Sequence, residues 1–402
     1  MSIRSVTSSF CWFRWFCSVG FGLGILAVGS SSWAQDPQAQ QSTRVGGGRS
    51  LLNPDISVIL DAYAGYYGTK QGDFAATGVA VSGDDPAVEK EGFGIQEVEL
   101  AVTAPIDPYL EGALFLTIPN LEGIEVEEGY LLTTALPFNL QAKAGLFRSQ
   151  LGRNNGQHLH LQHFTRRPLM TPLLFGADGL RAPGLQMSVL LPFPWFAGLY
   201  VEALAVGAPE GRPAFTTFGG GGRNTPQNLS YTATLEQFWT LSDATTLFLG
   251  IDGATGRAAQ CPADATMPCE SPGRSFLYGG DLYLKWRPTT ELGDRMSFQW
   301  TTEVFRRSVG GGTPDEGALY SEAILQFARR WYAGGRFDLT GLPEGPNVPR
   351  RYGLAGSLTF APTEFSRFRL YAQELIGSGF PTATVAFLQA EFSMGAHGAH
   401  PF

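Results

Sequence analysis

Residues 93–118 read F-G-I-Q-E-V-E-L-A-V-T-A-P-I-D-P-Y-L-E-G-A-L-F-L-T-I. Val98, Leu100 and Val102 fall on one side of an extended chain, and Glu97 and Glu99 fall on the other. Side chains alternate across a strand, so this period of two marks a sheet with one apolar and one polar face. Pro105-Ile106-Asp107-Pro108 leaves room only for a tight turn. The chain from Tyr109 to Ile118 then returns as a second strand, and the unit is an antiparallel hairpin.

The pattern continues in both directions. Strands are predicted over 56–67, 93–104, 109–118, 123–134, 140–147, 184–191, 196–207, 229–241, 245–254, 275–287, 296–307, 318–327, 331–340, 351–361, 366–376 and 382–394. In the fourth, Ile124, Val126, Tyr130 and Leu132 alternate with Glu125 and Glu127. In the tenth, Phe276, Tyr278, Leu282, Leu284 and Trp286 oppose Asp281, Lys285 and Arg287. In the thirteenth, Trp331, Ala333, Phe337 and Leu339 oppose Arg336 and Asp338; in the fifteenth, Phe368, Leu370 and Ala372 oppose Arg367, Arg369 and Gln373. A soluble sandwich shares this local alternation. The even count, the strand lengths, the aromatic residues at strand ends and a short–long rhythm of connections decide for a membrane barrel. The expected fold is all-β: a transmembrane antiparallel β-barrel of about 16 strands in a lipid bilayer, with short periplasmic turns and longer outer loops. A barrel of that size encloses an aqueous lumen.

The N-terminus agrees with export. Arg4 and Arg14 precede an apolar run through Gly24-Ile25-Leu26-Ala27-Val28, and Ser32-Trp33-Ala34 ends it with small residues at the cleavage positions. Residues 1–34 are read as a signal peptide, 35–50 as a flexible lead-in, 51–394 as the barrel and 395–402 as a tail, which places the protein in the outer membrane. After cleavage the chain keeps Cys261 and Cys269, expected to form a local disulfide. The full chain carries a net charge of −8, and loss of the two leader arginines leaves about −10, which argues against nucleic-acid binding.

One long segment does not alternate. From Gly145 to Pro183 the chain holds Arg148, Arg153, Arg166, Arg167 and Arg181 against the single acid Asp178, together with His158, His160 and His163. Counting strands makes it the third outer loop. Leu159, Leu161, Phe164, Leu169, Leu173, Leu174 and Phe175 are residues for burial, which favours a loop folded into the lumen over one on the rim. Arginines along a constriction attract anions. The barrel interior is also expected to carry Glu97, Glu99, Glu125, Glu127, Lys285, Arg336, Arg367 and Arg369, so each loop arginine has two readings, pairing with a carboxylate or meeting an anion. His158 and His160, two apart on an extended chain, with His163 beside them, form a candidate metal site. His397 and His400 lie in the tail, away from that loop.

Other functions fit less well. All histidines lie in the loop or the tail, where no strand Ser–His pair can form, so an enzyme is not expected. The short lead-in before the first strand leaves no room for a plug domain, and the Gly219–Gly222 run lacks a phosphate-loop lysine. No cofactor is called for.

Several segments also resemble one family. Asn53-Pro54-Asp55-Ile56-Ser57, G-I-Q-E-V-E-L (94–100), Asp107-Pro108-Tyr109, G-I-E-V-E-E-G-Y-L (123–131) and G-L-F-R…G-R-N-N…H…R-R-P-L (145–169) are similar to phosphate-selective porin O/P-type barrels and to porin-like proteins described as zinc-regulated. The resemblance implies a sixteen-stranded, trimeric outer-membrane porin passing small hydrophilic solutes by diffusion. Phosphate-selective members line the pore with lysines and arginines; Lys143 and Lys285 are among the strand lysines here. Phe402 resembles the terminal aromatic read by the outer-membrane assembly machinery. The expected function is thus a porin with a mild anion preference from the third loop. The alternative is a metal- or ligand-binding barrel with a closed lumen.

Overall fold

The computed structural model describes residues 54–68, 91–121, 123–176, 178–207, 215–219, 225–260, 269–310, 315–344, 348, 350–377 and 380–395. The leader, the lead-in, Cys261, His397, His400 and Phe402 lie outside the described residues. Sixteen strands close into one antiparallel barrel. They are β1 (Asp55–Tyr67), β2 (Gly92–Pro105), β3 (Leu110–Pro119), β4 (Glu125–Thr133), β5 (Leu140–Arg148), β6 (Arg181–Leu190), β7 (Phe196–Leu204) and β8 (Ser230–Ser242). The second half comprises β9 (Thr245–Arg257), β10 (Arg274–Trp286), β11 (Ser297–Val309), β12 (Glu316–Ala328), β13 (Trp331–Leu342), β14 (Arg351–Thr363), β15 (Ser366–Gly377) and β16 (Phe380–Gly395). Each strand pairs with its chain neighbours, and β1 pairs with β16 from Ser57–Gly395 to Tyr67–Val385. Closure leaves no unpaired edge, the condition for a sheet to cross a bilayer.

Burial is inverted relative to a soluble protein. Arg367 and Arg369 are among the largest fully buried side chains, whereas Leu370 beside them is 55% exposed. The same alternation sets exposed Phe276 and Tyr278 against buried Asp281, and exposed Phe337 against buried Arg336 and Asp338. The polar face therefore turns inward and the apolar face outward. Aromatics cluster at the short-turn end: Phe193 stacks on Trp195 at 5.1 Å, Trp195 on Trp239 at 6.1 Å, and Trp331 meets Phe360 at 4.7 Å. Rings with an apolar body and a polar tip suit a membrane–water boundary.

One sequence expectation changes. The predicted alternation of the fourth strand breaks at a bulge. Phe115 pairs with Glu128 and Leu116 with Val126, so Glu127 is the extra residue on β4. A bulge reverses the facing of the residues beyond it. Leu131 is 46% exposed and Leu132 is buried, while Glu127 and Glu128, though adjacent, are both buried. Connections keep the expected rhythm: residues 149–180 and 205–229 are long, whereas β8–β9, β12–β13 and β14–β15 are joined by tight turns at 243–244, 329–330 and 364–365.

Candidate functional site

The non-alternating segment begins and ends on strands. Arg148 closes β5, Arg181 opens β6, and the two stand opposite each other in the ladder, where the sequence pattern had placed both in the loop. Asn155 ties the neck: its Nδ2 donates to the carbonyls of Ser149 (2.8 Å) and Leu180 (3.1 Å), and its Oδ1 accepts from the Leu180 amide (2.6 Å). Gly179 has φ +89°, and a Cβ there would stand 2.5 Å from Asn155 Oδ1, so backbone and space both require glycine.

A segment without secondary structure must satisfy its backbone elsewhere. Here the wall divides the work by charge. Carboxylates accept amide hydrogens: Glu202 on β7 from Gln150 (2.9 Å), Asp252 on β9 from Gly152 (3.1 Å), Glu303 on β11 from Asn154 (2.6 Å) and Asp338 on β13 from Leu169 (3.0 Å). Arginines donate to carbonyls: Arg336 on β13 to Arg166 (2.8 Å), and Arg369 on β15 to Gln162 (2.7 Å), with Arg367 on β15 reaching His160. Gln96 on β2 donates to the Thr165 carbonyl (3.1 Å), and Thr165 Oγ1 donates to Gln389 on β16 (3.0 Å). Apolar residues complete the hold. Phe164 and Leu169 pack with Ile324, Tyr332, Tyr371 and Phe387; Leu151, Met170, Leu174 and Phe175 pack with Phe147, Leu204, Phe305 and Tyr320. Leu161, Phe164, Leu169, Leu174 and Phe175 are buried as predicted, and Leu159 and Leu173 are half-buried.

This arrangement sorts the five predicted arginines. Arg148 pairs with Glu127 and with Asp178 (2.7 Å). Arg167 donates to the carbonyls of Gln157 (2.9 Å) and Asn154 (3.3 Å) and lies 3.7 Å from Asp178. Burial and the charge of Arg148 pull its pKa down to about 10 against the opposing pull of Asp178. Arg181 donates to the Glu127 carbonyl (3.2 Å). Arg166 lies over the Phe387 ring at 5.5 Å. Arg153 lies over two rings, Tyr283 at 3.9 Å and Phe248 at 5.2 Å. It lines a cavity with His163, Glu236, Asp281, Tyr283 and Gln299. Of the predicted interior charges, Glu97, Glu99, Glu127, Arg336, Arg367 and Arg369 all meet this segment or its partners, Lys285 is half-buried, and Glu125 is exposed at the start of β4.

The histidines separate. His158 Nδ1 lies 3.0 Å from Glu99 Oε2 and 3.2 Å from Glu127 Oε2, and its Nε2 lies 3.2 Å from Glu128 Oε2. His160 Nδ1 lies 3.3 Å from Glu99 Oε2 and 3.8 Å from Glu97 Oε1. Burial opposes charge on both rings, but the carboxylates outweigh it. Glu127 and Glu99 raise His158 well above the ordinary histidine value, and Glu99 with Glu97 pushes His160 up to about 10. His163 stands apart, 3.3 Å from Gln299 Oε1. Enclosure, then the charges of Arg369 and Arg367, bring its pKa down to about 3. Sequence reasoning misses Glu128, because strict alternation puts it on the lipid side; the signal is the doubled acid before Gly129 in E-V-E-E-G. Cys269 is disulfide-bonded, while its expected partner Cys261 lies outside the described residues.

A closed sixteen-stranded barrel with a charged interior, an apolar exterior and a long tethered connection has the fold of the outer-membrane porins. Solved structures agree. The chain is similar to an anion-selective porin from Comamonas acidovorans (TM-score 0.54, 8% identity, 85% of this chain and 99% of that one). It is similar to OmpT of Vibrio cholerae in its trimer form (TM-score 0.54, 10% identity, 85% and 99%) and to Pseudomonas putida OprB (TM-score 0.52, 10% identity, 85% and 94%). No family model matches the sequence. An uncharacterized protein of Aquifex aeolicus (strain VF5) is 32% identical over 341 residues, covering 78% of this chain and 71% of that protein. The chain belongs to the same family as that protein.

Proposed function

We propose that this protein is an outer-membrane porin, a non-catalytic passive channel for small hydrophilic solutes, with residues 149–180 folded across the lumen. The observation that carries this reading is the cavity left between that segment and the wall from β8 to β12, whose lining includes Arg153, His163, Glu236, Asp281, Tyr283 and Gln299. A gap lined by side chains of mixed charge beside a tethered constriction suits diffusion better than tight capture. Arg153 carries the anion contact, because Arg148, Arg166, Arg167 and Arg181 are engaged in holding the segment. Glu236 and Asp281 oppose it, so any anion preference is mild. The likeness to porin O/P-type barrels supports the channel reading and, with the trimeric Vibrio cholerae structure, an assembly of three copies. Residues 1–34 serve export, and Phe402 serves recognition by the assembly machinery.

Planar-bilayer recording of the refolded protein tests the function. Stepwise conductance is expected, and its absence from folded protein overturns the reading. Chemical cross-linking in detergent is expected to stop at three copies.

A further inference from the structure

The cluster where β2, β4 and residues 158–160 meet is more than a charged tether. We propose that Glu99, His158 and His160 bind one divalent transition-metal cation of the zinc class. This site is independent of whether the barrel conducts.

The argument starts from donor geometry. One donor atom from each of Glu99, His158 and His160 lies within 4.8 Å of the others, and all three residues are buried. A tetrahedral zinc ion with arms of about 2.0–2.1 Å separates its donors by about 3.3 Å. Glu99 Oε2 lies 3.0 Å from His158 Nδ1 and 3.3 Å from His160 Nδ1, and Glu127 Oε2 lies 3.2 Å from His158 Nδ1. The two edges from Glu99 are those of a tetrahedral donor set, and Glu127 stands beside His158 as a neighbouring negative charge.

Hydrogen bonding fits the same atoms less well. A ring nitrogen carries one hydrogen, yet two carboxylate oxygens crowd His158 Nδ1. The hydrogen bond goes to Glu99, and Glu127 Oε2 is left buried without a hydrogen-bond partner, 3.2 Å from the same nitrogen. A cation held by Glu99 and His158 would place its positive charge beside Glu127 Oε2 and balance it. A ligating imidazole also needs its second nitrogen fixed by an acceptor. Glu128 Oε2 stands 3.2 Å from His158 Nε2 and supplies one. The bulge on β4 makes this possible, since it buries Glu127 and Glu128 side by side and leaves Glu128 to orient the ring. Two imidazole nitrogens with carboxylate oxygens select zinc, cobalt or nickel over magnesium and calcium, which prefer all-oxygen shells.

The test uses the full mature chain, refolded in detergent with and without ZnCl2, freed of excess metal and measured by elemental analysis. About one zinc per chain is expected, undisplaced by millimolar MgCl2 or CaCl2. Loading with CoCl2 should give the intense visible absorption of tetrahedral Co(II). His158→Ala and His160→Ala are expected to lose the retained zinc, and Glu128→Gln to weaken it by roughly 10–100-fold. The variant carrying His397→Ala and His400→Ala should keep it. Should either loop variant fail to regain sheet circular dichroism, Glu99→Gln and the wild-type cobalt spectrum decide the matter. Folded wild-type protein that retains no zinc overturns the proposal. So does zinc retained equally after removal of His158, or an octahedral cobalt spectrum; the cluster is then only a salt-bridged tether.

Discussion

Arg153 and His163 face the same cavity with opposite electrostatic histories. Arg153 rests on Tyr283 and Phe248, an arrangement that holds a guanidinium in place. Arg153→Glu is expected to move the reversal potential toward cations in a salt gradient, with the barrel still folded. Arg167→Gln should instead lower stability with little change in selectivity, because Arg167 is spent on the carbonyls of Gln157 and Asn154. His163 has a folded pKa of about 3, below the unfolded value of about 6.5. A depressed histidine is neutral in the fold and takes up its proton more readily in the unfolded chain. Its contribution is therefore fully present above pH 6.5 and is lost as pH falls toward 3. His163→Gln is expected to narrow the drop in the guanidinium unfolding midpoint between pH 7.5 and 5, by an amount that water entering the cavity keeps modest. An equal drop in both proteins would contradict the assignment.

At the scale of elements, the connection over 149–180 is tied to the barrel wall by its own backbone. Its amides go to carboxylates of β7, β9, β11 and β13, and its carbonyls to arginines of β13 and β15. Removing one side of a buried ion pair leaves the other uncompensated, at a cost of about 3–5 kcal/mol. Arg367→Ala strands Glu391 and releases the His160 carbonyl. The expected result is a lower unfolding midpoint, with larger and noisier single-channel conductance as the segment loosens. Much of this element was legible in the sequence. Its length, its break in alternation and its run of apolar residues were all readable, and Leu161, Phe164, Leu169, Leu174 and Phe175 are buried. The roles of its arginines were not, because pairing depends on which wall carboxylate stands opposite, a long-range fact that spacing does not encode. The bulge at Glu127 was hidden for a related reason: one inserted residue flips every side chain beyond it, and the run Ile124, Val126, Tyr130, Leu132 reads as unbroken alternation. The partner of His158 and His160 was likewise illegible, since Glu99 lies 59 residues before His158 and the nearer His163 turns to Gln299.

For the whole molecule, the even strand count and two-faced strands of the sequence carried through to closure, and what the outer face touches is the remaining test. Leu358, Leu370 and Leu388 form one row across β14, β15 and β16, since Leu370 pairs with Leu358 on one side and with Leu388 on the other. All three are at least 40% exposed. In water, such a row is a costly apolar patch, and a charge introduced there would be neutral or favourable. In a bilayer the row is solvated by lipid chains, and a charge at the midplane costs about 2–4 kcal/mol. Leu370→Arg therefore separates the two environments in one residue. In lipid vesicles the variant is expected to fold less completely and to unfold at lower guanidinium concentration than wild type, while the same substitution at exposed Leu292, in the short turn after β10, should have little effect. Equal stability of Leu370→Arg and wild type in lipid would mean that this face does not meet the hydrocarbon, and that the barrel does not span the membrane in the register described.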